Sequence, residues 1–211
     1  MTVTTDERAA LSDLFQALGP AAPTLLEGWA TADLLAHLLV RERRPDAAGG
    51  ILLPALAKRT ERVMAQMLRT TPFPVMVTTF RSGPPLWSPW AIPVLGDRGN
   101  AVEFYVHHED VRRAQPNWQP RPSEQPREDA LWRALKLMGR VLYRKSPVGV
   151  VLQSTGRDDV QAHRGTRSVT VVGLPSEIIL HAFGRHPDVV RVVVQGDAAD
   201  VDALASSPRG F

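Results

Sequence analysis

Apolar residues recur at helical spacing through the first two thirds of the chain. In five segments they lie three to four positions apart, which predicts amphipathic helices over residues 5–18, 31–44, 51–69, 102–114 and 127–144. Gly19-Pro20 follows the first helix as a stop signal, and Pro45 ends the second. We expect Thr31 to cap the second helix and Asn100 to cap the fourth.

The pattern changes after Ser146-Pro147. Strand-like apolar runs over 148–152, 168–172 and 189–194 alternate with short helical patterns at 176–183 and 198–205. These alternations are typical of a small α+β domain. The sequence therefore predicts a mainly α protein with an α+β tail, divided into a helical domain over 1–145 and a C-terminal domain over 146–211.

The stretch 70–100 fits neither pattern. It contains many proline and glycine residues together with Trp87 and Trp90. It is too apolar for a disordered linker, so we interpret it as an ordered excursion packed over the helices and shaping a pocket.

Composition narrows the classes of protein to which the chain can belong. Hydrophobic residues make up 44% and charged residues 22%, as in soluble globular proteins. The sequence has no apolar run of membrane-spanning length, and its first residues lack a signal-peptide pattern. We expect a cytoplasmic protein that does not bind membranes.

Cysteine content and charge limit the chemistry further. With no cysteine, any metal must be held by histidine, carboxylates and water, and thiol chemistry requires a small-molecule thiol. The pI of 9.8 goes with a net charge of only +3. The basic cluster at 41–44 is interrupted by Glu42 and has no interleaved aromatic residues, which indicates a solvated helix end rather than a nucleic-acid surface.

Candidate chemistry lies in the helix predicted over 102–114. At 100° per residue, Glu103, His107 and Asp110 share an arc with apolar side chains, while most of the other charged residues belong to the opposite, outward arc. A buried carboxylate without a partner is costly, and a bound cation removes that cost. A Glu–His hydrogen bond in a helical core, or a helix rotated so that this arc is wet, explains the same pattern.

The spacing of Glu103 and His107 is not by itself a specific signal. Acidic residues precede histidines by four positions at four places in the chain, which are Asp33/His37, Glu103/His107, Asp159/His163 and Glu177/His181. Taken alone, His37 is best interpreted as a solvated histidine at the edge of its helix. The last two pairs lie in a segment without helical period and on a short helix, where an intrahelical pair is the ordinary explanation.

Three parts of the sequence together carry a resemblance to one family of proteins. The first part comprises Trp29-x-x-x-Asp33-Leu-x-x-His37-Leu and Glu103-x-x-x-His107-His108-x-Asp110. The second is the C-terminal set Val169–Gly173, Leu180–Arg185 and Val192–Asp197. The third is Arg41–Ala48. Together they resemble the mycothiol-dependent maleylpyruvate isomerase family, and the third part resembles an uncharacterised actinobacterial branch of it that binds metal.

The resemblance implies a fold, a metal site and a chemistry. The fold is a DinB-like four-helix bundle followed by a small α+β domain. The zinc ligands of the family fall on His37, Glu103 and His107, with Asp110 either supporting His107 or pairing with a nearby arginine. The metal would bind the thiol of mycothiol for isomerisation or S-transfer of a small electrophile, and Arg185 is the candidate for binding a substrate carboxylate.

Two other functions stay open at this point. The C-terminal domain also resembles small sterol-carrier-like folds, so a non-catalytic, metal-containing module that binds a small apolar ligand is the alternative. A nucleic-acid-binding regulator is suggested by the pI alone. We expect small-molecule partners, a divalent metal that is most consistent with Zn²⁺, and no nucleic-acid partner.

Overall fold

The structure, a computed structural model, describes residues 2–51 and 56–210. Contacts divide these residues into two compact units, 1–120 and 121–211. The helices of the first unit are α1 (Val3–Leu18), α2 (Thr31–Arg43), α3 (Pro45–Ala48), α4 (Ala57–Thr70), α5 (Phe73–Arg81) and α6 (Pro93–Arg113), with 3₁₀ turns at Gly49–Ile51 and Pro89–Ala91.

One apolar core joins four of these helices. Helix α1 packs against α5 and α6, and α2 packs against α4 and α5. The core residues come from α1, α2, α5 and α6: Leu11, Phe15, Leu34, Leu35, Ala36, Leu38, Leu39, Met76, Val77, Phe80, Phe104 and Val111. Phe80 lies at the centre, in edge-to-face contact with Phe15 at 6.3 Å and with Phe104 at 5.3 Å between ring centroids.

The excursion predicted over 70–100 contains a helix that the sequence did not indicate. Helix α5 lies inside it, and Met76, Val77 and Phe80 on this helix are buried. Proline is compatible with this position because Pro72 is the N-cap and Pro74 lies in the first turn, where no intrahelical hydrogen bond is lost. The next helix begins at Pro93, well before the predicted start near Asn100, so Asn100 lies inside α6.

Two other helix starts also differ from prediction. The helix expected over 51–69 is observed as α4 from Ala57, and residues 52–55, including Leu52, lie outside the described part of the chain. The N-cap of α2 is Ala30, whose N–H donates to Asp33 Oδ2 at 2.9 Å, while the Thr31 hydroxyl donates to the Gly19 carbonyl. Asp33, at position N3, therefore accepts from the N-cap N–H, and Thr31 does not cap the helix.

The second unit is a small α+β fold. Its helices are α7 (Gln125–Leu142), α8 (Pro175–Ala182) and α9 (Ala198–Ala205), and its strands are β1 (Gly149–Gln153), β2 (Val160–His163), β3 (Ser168–Gly173) and β4 (Val192–Gln195). The strand order is β2-β1-β3-β4. Strands β1 and β3 are parallel, and the outer two strands pair with them antiparallel. Strand β2 is an addition to the three strands predicted.

The position of α7 moves the division between the units. The sequence placed this helix with the bundle and the boundary after residue 145, whereas contacts place the boundary after Pro120. Helix α7 packs against β2 and α8, with Leu131, Leu135 and Leu142 buried. Periodicity identified the apolar face of α7 but carries no information on which neighbour covers it.

The observed fold is a helical N-terminal part with an α+β tail, which confirms the predicted fold class. No helix within the described residues is both long and apolar enough to cross a membrane.

Candidate metal centre

Helix α2 buries His37 on its inward side. The residues on both sides of it, Ala36 and Leu38, are fully buried, and His37 itself is 9% exposed. The Trp29 ring lies 5.4 Å from the imidazole between centroids and covers part of it. The interpretation of His37 as a solvated edge residue is therefore wrong.

Helix α6 supplies two more groups from one face. Glu103 and His107 are one turn apart, and His107 Nε2 lies 3.3 Å from Glu103 Oε1. Asp110, fully buried on the following turn, places Oδ2 3.0 Å from His107 Nδ1. Asp110 therefore supports His107, which is one of the two roles left open for it.

The two helices bring the three predicted ligands together. His37 Nε2 lies 3.2 Å from the same Oε1 of Glu103, and the two imidazole rings meet edge to face at 5.3 Å between centroids. One ligand atom from each of His37, Glu103 and His107 lies within 4.8 Å of the other two. No other group of three His, Asp or Glu residues in the described part of the chain brings its ligand atoms this close together.

A fixed cation completes the cluster. Arg41, one turn after His37, places Nε 3.5 Å from Glu103 Oε1, and its side chain is 10% exposed. The guanidinium stacks on the Trp90 ring at 3.7 Å and donates to Asn100 Oδ1, while Trp90 Nε1 donates to the Arg41 carbonyl at 3.1 Å. The basic cluster at 41–44 is thus not a solvated helix end, because Arg41 and Arg43 both turn inward.

These neighbours set the charges of the metal-free protein. Burial alone raises the pKa of Glu103, but Arg41 and the hydrogen bonds from His107 and His37 hold that pKa well below its ordinary value. Burial lowers the pKa of His107, but Asp110 and Glu103 outweigh it and raise the pKa to about 9. Burial lowers the pKa of His37 despite its bond to Glu103. Glu103 is therefore an anion, His107 a cation and His37 neutral near pH 7.

The donor set fits a divalent metal ion. Two imidazole nitrogens and one carboxylate oxygen are ligands that suit Zn²⁺, and three protein ligands leave a position for another ligand. Asp110 accepts a hydrogen bond from His107 Nδ1, as a carboxylate commonly does behind a metal-binding histidine, so Nε2 is the nitrogen directed at the cluster. Without a metal, the same Glu103 oxygen serves both histidines and Arg41.

The outward arc predicted for α6 is wrong. His108, Glu109, Arg113 and Tyr105 on that arc are all buried. His108 Nδ1 lies 2.8 Å from Oε2 of Glu7 on α1, and Glu109 accepts hydrogen bonds from Arg112 at 2.8 Å and Arg113 at 2.5 Å. His108 is paired across helices and Glu109 within α6, and this pairing allows α6 to be buried on both faces. Helical periodicity does not anticipate it.

The remaining acid–histidine spacings do not form pairs of this kind. Asp33 closes the start of α2 and does not bind His37. Glu177 accepts from the Arg191 N–H at 2.8 Å, while His181 Nδ1 lies 2.7 Å from the Tyr143 hydroxyl. His163 lies on strand β2, where residues four apart do not share the geometry of a helix turn.

Arg185 lies in the second unit, after α8. It is half-buried, and its Nη1 donates to the Phe183 carbonyl at 2.8 Å. Its place as a substrate-binding residue stays a prediction.

Trp90 and Asn100 are neighbours of the candidate site that the sequence did not indicate. Arg41 had a signal, since it follows His37 by four positions and shares its face. Trp90 had none, because it approaches Arg41 from the segment between α5 and α6. Asn100 was expected only as a helix cap, and its bond to Arg41 depends on how α2 and α6 pack.

Comparison with known proteins finds the fold but no close relative. No protein-family model matches the sequence, and no curated protein matches it. The chain is similar to the crystal structure of the mycothiol-dependent maleylpyruvate isomerase, at 18% identity over 90% of each chain with a TM-score of 0.50. A mutant of that enzyme aligns at 17% identity over 90% of each chain with a TM-score of 0.46. The first likeness confirms the fold that the sequence resemblance predicted.

Proposed function

We propose that this protein is a metal-dependent enzyme that uses a small thiol, mycothiol, for S-transfer or isomerisation of a small electrophile. Zinc is the proposed metal, with His37, Glu103 and His107 as its ligands. The observation that carries the proposal is the convergence of these three ligand atoms within 4.8 Å. The shared fold with a mycothiol-dependent isomerase supports the choice of thiol.

The residues around the cluster have separate tasks in this proposal. A bound zinc ion would supply Lewis acidity, which lowers the pKa of a coordinated thiol toward that of a thiolate nucleophile. Asp110 keeps the proton of His107 on Nδ1 and so leaves Nε2 for the metal. Since the chain contains no cysteine, the thiol must come from a small molecule.

Arg41 gives the site a positive charge that does not move. Its stacking on Trp90 and its bond to Asn100 fix the guanidinium beside Glu103. A fixed cation favours anions nearby, and a thiolate is an anion. For a carboxylate on the electrophile, Arg185 remains the proposed binding residue, because a guanidinium binds carboxylates through two parallel hydrogen bonds.

Cobalt substitution tests both metal and thiol binding. The full chain is loaded with Co²⁺, and mycothiol is added while the near-ultraviolet spectrum is recorded. We expect a thiolate-to-cobalt charge-transfer band that saturates with mycothiol. The band should be absent for Glu103→Gln and unchanged for Glu61→Gln, a matched substitution on the surface of α4. Cobalt uptake with no such band at any mycothiol concentration would contradict the use of the thiol.

The alternative function, a metal-containing module that binds a small apolar ligand, has less support from the structure. Trp90, one of the two tryptophans in the excursion expected to shape a pocket, is engaged with Arg41 through its ring and its N–H. Cobalt uptake without thiol binding, together with saturable binding of an apolar ligand, would favour this module over the enzyme.

A further inference from the structure

The second unit has a pocket of its own. It has a volume of about 330 Å³ and is lined by Ser123, Gln125, Glu128, Ser154, Thr155, Arg157, Val172, Gly173, Leu174 and Pro175. All of these residues belong to the unit 121–211 and none to the metal cluster. The volume lies at the lower end of the range for small-molecule sites.

Glu128 is the unusual member of this lining. Its side chain is 3% exposed, and its Oε2 accepts a hydrogen bond from the Ser176 N–H in the first turn of α8 at 2.9 Å. The other oxygen, Oε1, accepts no hydrogen bond from any described residue, and its nearest cationic atom is Arg127 Nε at 3.8 Å. Buried carboxylate oxygens normally accept hydrogen bonds, so Oε1 is suited to a donor on a bound molecule.

Arg157 gives the pocket the opposite charge. Its side chain is 16% exposed, and Nη2 lies 2.7 Å from Asp129 Oδ1. A guanidinium has five N–H donors, and one carboxylate oxygen uses only part of them. Arg157 therefore retains donors for a second carboxylate.

We propose that this pocket binds a small zwitterion of the α-amino acid class. Its ammonium group donates to Glu128 Oε1, with the Ser154 hydroxyl as a second acceptor, and its carboxylate accepts from Arg157. The apolar wall of Val172, Leu174 and Pro175 takes a short aliphatic side chain. Opposite charges on the two lining residues distinguish a zwitterion from a simple amine or a simple acid.

Calorimetry on the full chain tests this assignment with defined probes. Glycine, L-alanine and L-leucine are titrated at millimolar concentrations, beside N-acetyl-L-leucine, which lacks the ammonium, and L-leucinamide, which lacks the carboxylate. We expect saturable binding of at least one amino acid and a loss of roughly tenfold to hundredfold for each blocked analogue, as for a lost charged hydrogen bond. The amide NMR shifts of Val172, Gly173 and Leu174 should follow the same titration.

Two variants separate the charged contacts from general effects on folding. Glu128→Gln and Arg157→Gln should each weaken binding by a similar factor, while Arg140→Gln, an exposed substitution on the same helix as Glu128, should leave it unchanged. Because Glu128 also caps α8, Arg157→Gln provides the test if Glu128→Gln does not fold. The proposal is overturned if none of the three amino acids binds, if L-leucinamide binds as well as L-leucine, or if binding survives Arg157→Gln.

Discussion

Loading the metal-free protein with zinc at pH 7 is expected to release about one proton from the site. Asp110 and Glu103 raise the pKa of His107 to about 9, so both of its ring nitrogens carry protons at pH 7. Zinc needs the lone pair of Nε2, and that proton must leave. The lowered pKa of His37 means that this ring is already neutral and contributes no proton.

The loss of apparent zinc affinity follows from the difference between the pKa of His107 and the pH of the experiment. With a pKa of about 9 for His107, only about one molecule in a hundred carries the neutral ring at pH 7. The apparent zinc affinity at pH 7 should then be about a hundredfold below its limit at high pH, or about 2.7 kcal/mol. Affinity should rise close to tenfold between pH 7 and pH 8 and level off above pH 9.

Calorimetric titration of zinc into the full chain measures the proton directly. The experiment is repeated at pH 7 in buffers of different ionisation enthalpy that do not bind zinc, and the slope of the observed enthalpy gives the number of protons released. The Asp110→Asn variant is the control, because it removes the carboxylate that helps to keep His107 charged. This variant should release clearly less than one proton. Its zinc affinity, calculated for the form in which His107 is neutral, should be about tenfold to a hundredfold lower than that of the wild-type protein.

A slope near zero in the wild-type protein would refute this reasoning. So would an apparent affinity that does not change between pH 7 and pH 8, since zinc would then bind without displacing the proton from His107.

Three further predictions concern stability. Glu42→Ala should lower the free energy of unfolding by about 3–5 kcal/mol in urea titrations, because it leaves the buried Arg8 guanidinium without its carboxylate partner. A loss below about 1 kcal/mol would show that the pair contributes little to stability. Burial lowers the pKa of His181 to about 3. Between about pH 6.5 and pH 3 the unfolded chain therefore binds one proton that the folded protein does not. As the pH is lowered through this range, the free energy of unfolding should decrease by up to roughly 1.4 kcal/mol per pH unit. This slope should be reduced in His181→Gln, and an equal slope in both proteins would count against it. Phe80→Ala should cost about 3–5 kcal/mol, measured by the same denaturation, because Phe80 is fully buried at the centre of the first unit; a change under 1 kcal/mol would contradict that placement.

The cluster of His37, Glu103 and His107 was predictable to the extent that helical geometry fixes it. A spacing of four residues in α6 places Glu103 and His107 on one side whatever surrounds the helix. The arrival of His37 from α2 depends on tertiary structure, and the sequence indicated it only through a family resemblance. The contact of Arg41 with Trp90 was not predictable, since Trp90 reaches it from the segment between α5 and α6.

The differences between the predicted and the observed fold have physical reasons that periodicity does not contain. Periodicity predicts that a charged face points outward. His108 is nevertheless buried because it pairs with Glu7 of α1, and Glu109 is buried because it pairs with Arg113 on the same helix. Proline was interpreted as a breaker around α5, although it is favourable in the first turn of a helix. The apolar face of α7 was recognised, yet its assignment to the second unit required knowledge of what covers it.

The central claim is that His37, Glu103 and His107 hold a metal ion. The most direct measurement is elemental analysis of the full chain. The metal content is measured first on protein purified without chelators, and again after the metal has been removed and the protein dialysed against zinc. The account predicts about one zinc per chain in the wild-type protein and in His186→Ala, whose histidine is exposed and outside the cluster, and close to none in Glu103→Ala or His107→Ala. A wild-type protein that takes up no zinc, or a Glu103→Ala variant that retains a full equivalent, would contradict it.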